Sequence, residues 1–155
     1  MTRWVLAVVC GLGVGLLSAH ANEKSAKENY EPKCPISGKS AINDAAVDYK
    51  GAKVFFCCNG CPAAFTKNPE KFAAKANEQM VGTGQAKQVA CPISGRDVNP
   101  DMMAELEGVK VQFCCAGCKG KVEKAASSDA KRELVFSDKA FEKGFKVAAK
   151  EESKQ

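Results

Sequence analysis

Four cysteines, Cys34, Cys57, Cys58 and Cys61, recur at the constant offset that takes residue 34 to residue 91, as Cys91, Cys114, Cys115 and Cys118. Their surroundings recur with them. Cys34-Pro35-Ile36-Ser37-Gly38 returns as Cys91-Pro92-Ile93-Ser94-Gly95, and Phe56-Cys57-Cys58-x-Gly60-Cys61 returns as Phe113-Cys114-Cys115-x-Gly117-Cys118. A chain with such a repeat folds as two copies of one small unit, each carrying a complete set of thiols.

The remaining cysteine, Cys10, lies in an N-terminal stretch that reads as an export signal. Arg3 is followed by an apolar run from Val5 to Leu17 and by Ala19-His20-Ala21, a small-x-small cleavage pattern. The run is short for a bilayer span, which needs about 20 residues. Cleavage after Ala21 predicts a periplasmic or secreted protein, with membrane attachment only if the segment stays uncleaved. His20 is the single histidine of the chain, so the mature protein has no imidazole and its metal chemistry rests on thiolates, carboxylates, carbonyls and thioethers. The net charge of +5 comes from lysines dispersed among glutamates, with no aromatic platform beside them. That pattern is a solvated surface and no nucleic acid is expected as a partner.

The expected organisation is a signal peptide over 1–21, a flexible leader over 22–32, a first module over 33–80, a linker over 81–89, a second module over 90–136, and a C-terminal helix and tail over 137–155. Within module one the Cys-Pro-Ile-Ser-Gly segment is a tight turn. A hairpin follows from Ala46 to Phe56 about Lys50-Gly51, with Val54 and Phe56 facing inward, and module two copies it with Val111 and Phe113. Pro62 marks a helix start beside Cys61, where the positive helix end is expected to lower the thiol pKa. Asn68-Pro69 restarts that helix. Gln88 to Ala90 is expected to form a short strand, module two's helix to run from about Ala116 to Ala126, Leu134-Val135-Phe136 to be a strand, and Ser137 to cap a helix from Asp138 to Lys150 that packs on module two. The fold class is α+β, two tandem cysteine modules plus a C-terminal helix. Their apolar inventories are thin, so a metal or disulfide staple is expected in each.

The pattern Phe56-Cys57-x3-Cys61-x3-Phe65-x3-Pro69-Glu70-x-Phe72 resembles the YHS signature, with Phe72 in place of the usual tyrosine. The spacing Cys34-x22-Cys57-x3-Cys61, repeated from Cys91, is similar to the TRASH pattern of heavy-metal-associated proteins. The resemblance covers roughly residues 33 to 74 and 90 to 126, and it implies treble-clef-like modules built from a knuckle, a hairpin and a helix. It implies Cys57, Cys61, Cys114 and Cys118 as metal ligands, and by the TRASH-type spacing Cys34 and Cys91 as well. The chain departs from the family in having Ser37 and Ser94 where a YHS module has its knuckle cysteine, and in adding Cys58 and Cys115.

Three functional classes compete. Two all-cysteine sites would take a soft or borderline cation, Zn²⁺ or Cu⁺, one per module, in heavy-metal binding, trafficking or sensing, with metal ions and an exported or membrane protein as partners. Four thiolates suit tetrahedral zinc; three suit trigonal Cu⁺, leaving Cys58 and Cys115 beside the site. Met80, Met102 and Met103 are read as packing or surface residues. A disulfide-stapled interaction domain is the alternative, since a Cys34–Cys61 bridge is worth about 3 to 4 kcal/mol by chain-entropy arithmetic. Against it stand the vicinal cysteines, awkward for simple bridging. A thiol-disulfide oxidoreductase using Cys58-x-x-Cys61 is less favoured, because such motifs open a helix in a larger βαβ fold. No paired-carboxylate, phosphate-loop or hydrolase signature is present, and no enzyme activity is expected.

Overall fold

The computed structural model describes residues 30–148; the expected signal segment, most of the leader and the last residues lie outside them. Each module opens with a knuckle. Gly38 N–H donates to Cys34 O at 2.8 Å and Cys34 N–H to Lys39 O at 2.7 Å, and the bonds Gly95 to Cys91 and Cys91 to Arg96 repeat this at 2.7 and 2.8 Å. The tight return needs a left-handed residue, and Gly38 and Gly95 supply it with φ of 73° and 74°.

The hairpins follow, β1 (Ile42–Tyr49) with β2 (Ala52–Phe56) and, in module two, β4 (Asn99–Leu106) with β5 (Val109–Phe113). Both turn residues of each hairpin have positive φ, Lys50-Gly51 at 51° and 83° and Glu107-Gly108 at 49° and 85°, the geometry that matches the right-handed twist of a tight hairpin. Val54, Phe56, Val111 and Phe113 are fully buried, as their alternation predicts. Both first strands carry a bulge, between Ile42 and Ala46 and between Asn99 and Met103, opposite the residues that lead into the cysteine pair.

Helix α1 (Cys61–Lys67) and, after the Asn68-Pro69 break, α2 (Pro69–Gly82) complete the first unit. In module two the corresponding helices are α3 (Ala116–Glu123) and α4 (Ser128–Phe136). The strand expected at Leu134-Val135-Phe136 is therefore helical. Ser127 caps α4 by accepting the Ala130 N–H at 3.1 Å, and a short apolar run cannot itself distinguish a strand from the buried end of a helix.

The C-terminal helix is also shorter than expected. Helix α5 (Asp138–Gly144) stops at Gly144, and β6 (Phe145–Val147) turns extended to pair antiparallel with β3 (Ala86–Gln88) from the segment read as a linker. Gly144 is forced by close packing: a Cβ there would lie 2.8 Å from Pro92 Cα, and its carbonyl accepts the N–H groups of Val89 and Ala90 at 2.8 and 3.1 Å. Phe141 and Phe145 still meet, stacked at 5.5 Å across the helix–strand junction.

Nor does α5 pack on module two alone. It contacts α2, and Lys50 at the module-one hairpin turn pairs with Asp138 at 2.6 Å. Helices α2 and α4 pack together, Asn77 Nδ2 donates to Phe136 O at 2.8 Å, and Arg132 on α4 pairs with Glu78 on α2. The buried residues of both modules form one continuous cluster, so each thin apolar inventory is completed by its neighbour. Tyr30 covers Gly82, where a Cβ would lie 2.4 Å from its ring, which anchors the chain entering module one.

Glutamine side chains finish the free hairpin edges. Gln79 of α2, fully buried, accepts from Phe55 N–H at 2.7 Å through Oε1 and donates through Nε2 to Phe55 O at 2.9 Å and Lys33 O at 2.8 Å. Gln88 does the same in module two, accepting from Gln112 N–H at 2.9 Å and donating to Gln112 O at 2.7 Å and Ala90 O at 3.0 Å. Positions 55 and 112 correspond in the repeat, as do 33 and 90; the two glutamines do not. Equivalent clamps arrive from a helix in one module and a strand in the other.

Candidate metal centres

Three elements converge at each sulfur cluster. The knuckle presents Cys34 from a buried position, the end of β2 delivers Cys57, and the start of α1 supplies Cys61. The Sγ atoms of these three lie within 4.8 Å of one another, as do those of Cys91, Cys114 and Cys118. Each group can hold a metal ion. Thiolates at tetrahedral positions around zinc, about 2.3 Å from the ion, stand about 3.8 Å apart. Cys57–Cys61 at 3.7 Å and Cys114–Cys118 at 3.6 Å are close to that spacing, with no sulfur–sulfur bond in either cluster.

Cys58 and Cys115 stand at the margin of these groups. Cys58 Sγ is 3.5 Å from Cys61 Sγ, and Cys115 Sγ is 3.6 Å from Cys114 Sγ, but neither belongs to the mutually close set. Cys58 is exposed, Cys115 half-buried.

The knuckles prepare thiolates. Burial opposes ionisation of Cys34, but hydrogen bonds from the Ser37 side chain and from backbone groups of Ser37, Cys57 and Ile36 outweigh it and bring its pKa down to about 7. Cys91 is likewise held at about 7, against burial, by Ser94 and the backbone of Cys114, Ser94 and Ile93. Cys115 falls to about 7 chiefly through the Cys118 backbone N–H, and Cys58 is lowered chiefly by that of Gly60.

Cys61 corrects a sequence expectation. Its place at the α1 N-terminus was expected to lower its pKa; instead Cys58, burial and Cys57 push it up to about 12, and Cys118 rises to about 12 through burial and its contacts with Cys114 and Cys115. A thiol that donates to the sulfurs crowded around it holds its proton more tightly, and that crowding exceeds the pull of one helix end. A cation held at the centre would take the place of that proton.

Two groups of residues were not read from sequence as functional. Ser37 and Ser94 place Oγ 3.1 and 3.2 Å from Cys57 and Cys114 Sγ, so the knuckle serines serve as hydrogen-bond partners of the sulfurs. Arg96 places its guanidinium 3.3 Å from Cys114 Sγ and 3.7 Å from Cys115 Sγ. Its signal was available, for Lys39 is replaced by Arg96 inside an otherwise identical knuckle. Met80 is buried in the core, Met102 packs against it and Met103 is surface-exposed. Among the described residues every sheet is a two-stranded antiparallel pair, and no helix is long and apolar enough to cross a membrane.

No protein-family model, curated protein or solved structure matches this chain.

Proposed function

We propose that this is an exported metal-binding protein of the YHS/TRASH type, with one all-cysteine site per module for a thiophilic cation, Zn²⁺ or Cu⁺. Its role is binding, trafficking or sensing of that ion, without catalysis. The observation that carries the reading is the convergence of three sulfurs within 4.8 Å, twice, from the same three elements. Cys34, Cys57 and Cys61 are the core ligands of the first site and Cys91, Cys114 and Cys118 those of the second, with Cys58 and Cys115 adjacent. The knuckle, hairpin and helix order of each module supports the family resemblance, and the Ala19-His20-Ala21 pattern supports export to the periplasm or beyond. Titration of Zn²⁺ or Cu⁺ into the reduced protein tests the proposal. Two equivalents per chain are expected; one equivalent, or none below millimolar metal, overturns it.

A disulfide-stapled domain is the second reading, favoured by the 3.5 Å approach of Cys58 and Cys61. Native mass spectrometry of protein exported from cells separates the two. Each bridge lowers the mass by about 2 Da, whereas a bound metal raises it.

A further inference from the structure

The two sites are not electrostatic copies. In module two the Arg96 guanidinium lies across Cys114 and Cys115, at 3.3 and 3.7 Å. In module one the residue at that place is Lys39, and the side-chain partners of Cys57, Cys58 and Cys61 are Ser37, Cys34 and one another. The identical Cys-Pro-Ile-Ser-Gly framework therefore carries a fixed positive charge on its sulfurs in one copy only.

We infer that Arg96 is a charge-selectivity determinant that biases the second site toward a monovalent thiophilic cation, relative to the first. For any fixed set of thiolates, the complex of a monovalent ion carries one more negative charge than that of a divalent ion. Arg96 attracts the more negative complex more strongly, and it repels the incoming divalent ion more than the monovalent one. Both statements describe the same energy. Taken at the fully screened limit of water, one guanidinium acting on one added charge at contact distance corresponds to about fivefold in relative affinity. The guanidinium keeps its charge across the working pH range. The inference rests on the metal-binding reading above.

The full mature chain, reduced and loaded with Cd²⁺, is titrated with Ag⁺ while cadmium NMR follows the two bound ions separately. The resonance that moves in the Arg96→Gln variant marks the second site. In the unaltered protein that resonance is expected to be displaced first by Ag⁺. Arg96→Gln should shrink its Ag⁺-over-Cd²⁺ preference by about fivefold without moving the other, and Lys39→Arg should raise the preference of the first site. Two bound cadmium ions displaced with a ratio that Arg96→Gln leaves unchanged would overturn the selectivity role alone. A chain that binds no cadmium at all overturns the metal-binding reading together with it.

Discussion

The glutamine clamps offer a way to damage one site at a time. In Gln79→Leu the side-chain volume is nearly kept, but Phe55 N–H, Phe55 O and Lys33 O all lose a partner. A polar group stripped of its partner inside a protein costs about 1 to 3 kcal/mol. Phe55 is half-buried and Lys33 lies at the surface, so water recovers part of this and the total should be about 2 to 4 kcal/mol. Small domains have about 5 to 15 kcal/mol of stability, so the chain should remain folded. The loss falls on the strand end leading to Cys57 and on the residue preceding Cys34. If about half of it is felt in holding those two sulfurs in register, the affinity of the first site drops by about tenfold. Gln88→Leu should do the same to the second site, through Gln112 and Ala90. Denaturant unfolding of the metal-free chain gives the stability change, and competition against a chelator gives each site's affinity. Equal weakening of both sites by either variant, or a stability loss with both affinities intact, would refute the idea that the clamps organise their own knuckles.

Gly144→Ala should destabilise the protein and weaken the second site, because its Cβ falls 2.8 Å from the Pro92 backbone beside Cys91; thermal unfolding and metal competition measure both, and Gly120→Ala, with no atom within 4 Å of its Cβ, is the control. Burial works against ionisation of Asp138, but hydrogen bonds from Lys50, Asn77 and Tyr49 prevail and hold its pKa below the usual carboxylate value. Its contribution to stability is thus present above the unfolded carboxylate pKa, about 3.9, and is lost as pH falls through the lower folded value. Asp138→Asn should therefore be less stable than the parent at neutral pH and converge on it in acid, read from denaturation midpoints across pH. Cys58→Ser should leave the equilibrium affinity of the first site nearly intact while changing the rate of metal exchange; loss of that ion altogether would make Cys58 a fourth ligand.

Much of the site was legible because its signals are local. The repeat exposed both cysteine sets, two-residue alternation picked Val54, Phe56, Val111 and Phe113 as inward, and Lys50-Gly51 located a turn. What escaped depends on distant partners. Leu134 to Phe136 is helical because α4 packs on α2, and the chain breaks at Gly144 because Pro92 lies against it. Neither partner lies within ten residues of the element it shapes. Cys61 was misjudged because the helix end was taken by itself, although the repeat had already placed the neighbouring thiols in the same set. Ser37 and Arg96 were in view all along, yet only the side-chain geometry gives them sulfur partners.

The ribbon of β3 and β6 joins Gln88 to Phe145 and so ties the segment before module two to the segment after it. Knuckles and hairpins close over short stretches and form in microseconds, whereas this ribbon closes a loop of the whole second module, at an entropic cost that grows with the logarithm of its length. It forms only once β6 is available to pair. Each sulfur cluster, by contrast, is complete within its own module. The sulfurs of either cluster can therefore be brought together before β6 zips onto β3, the strand that carries the Gln88 clamp.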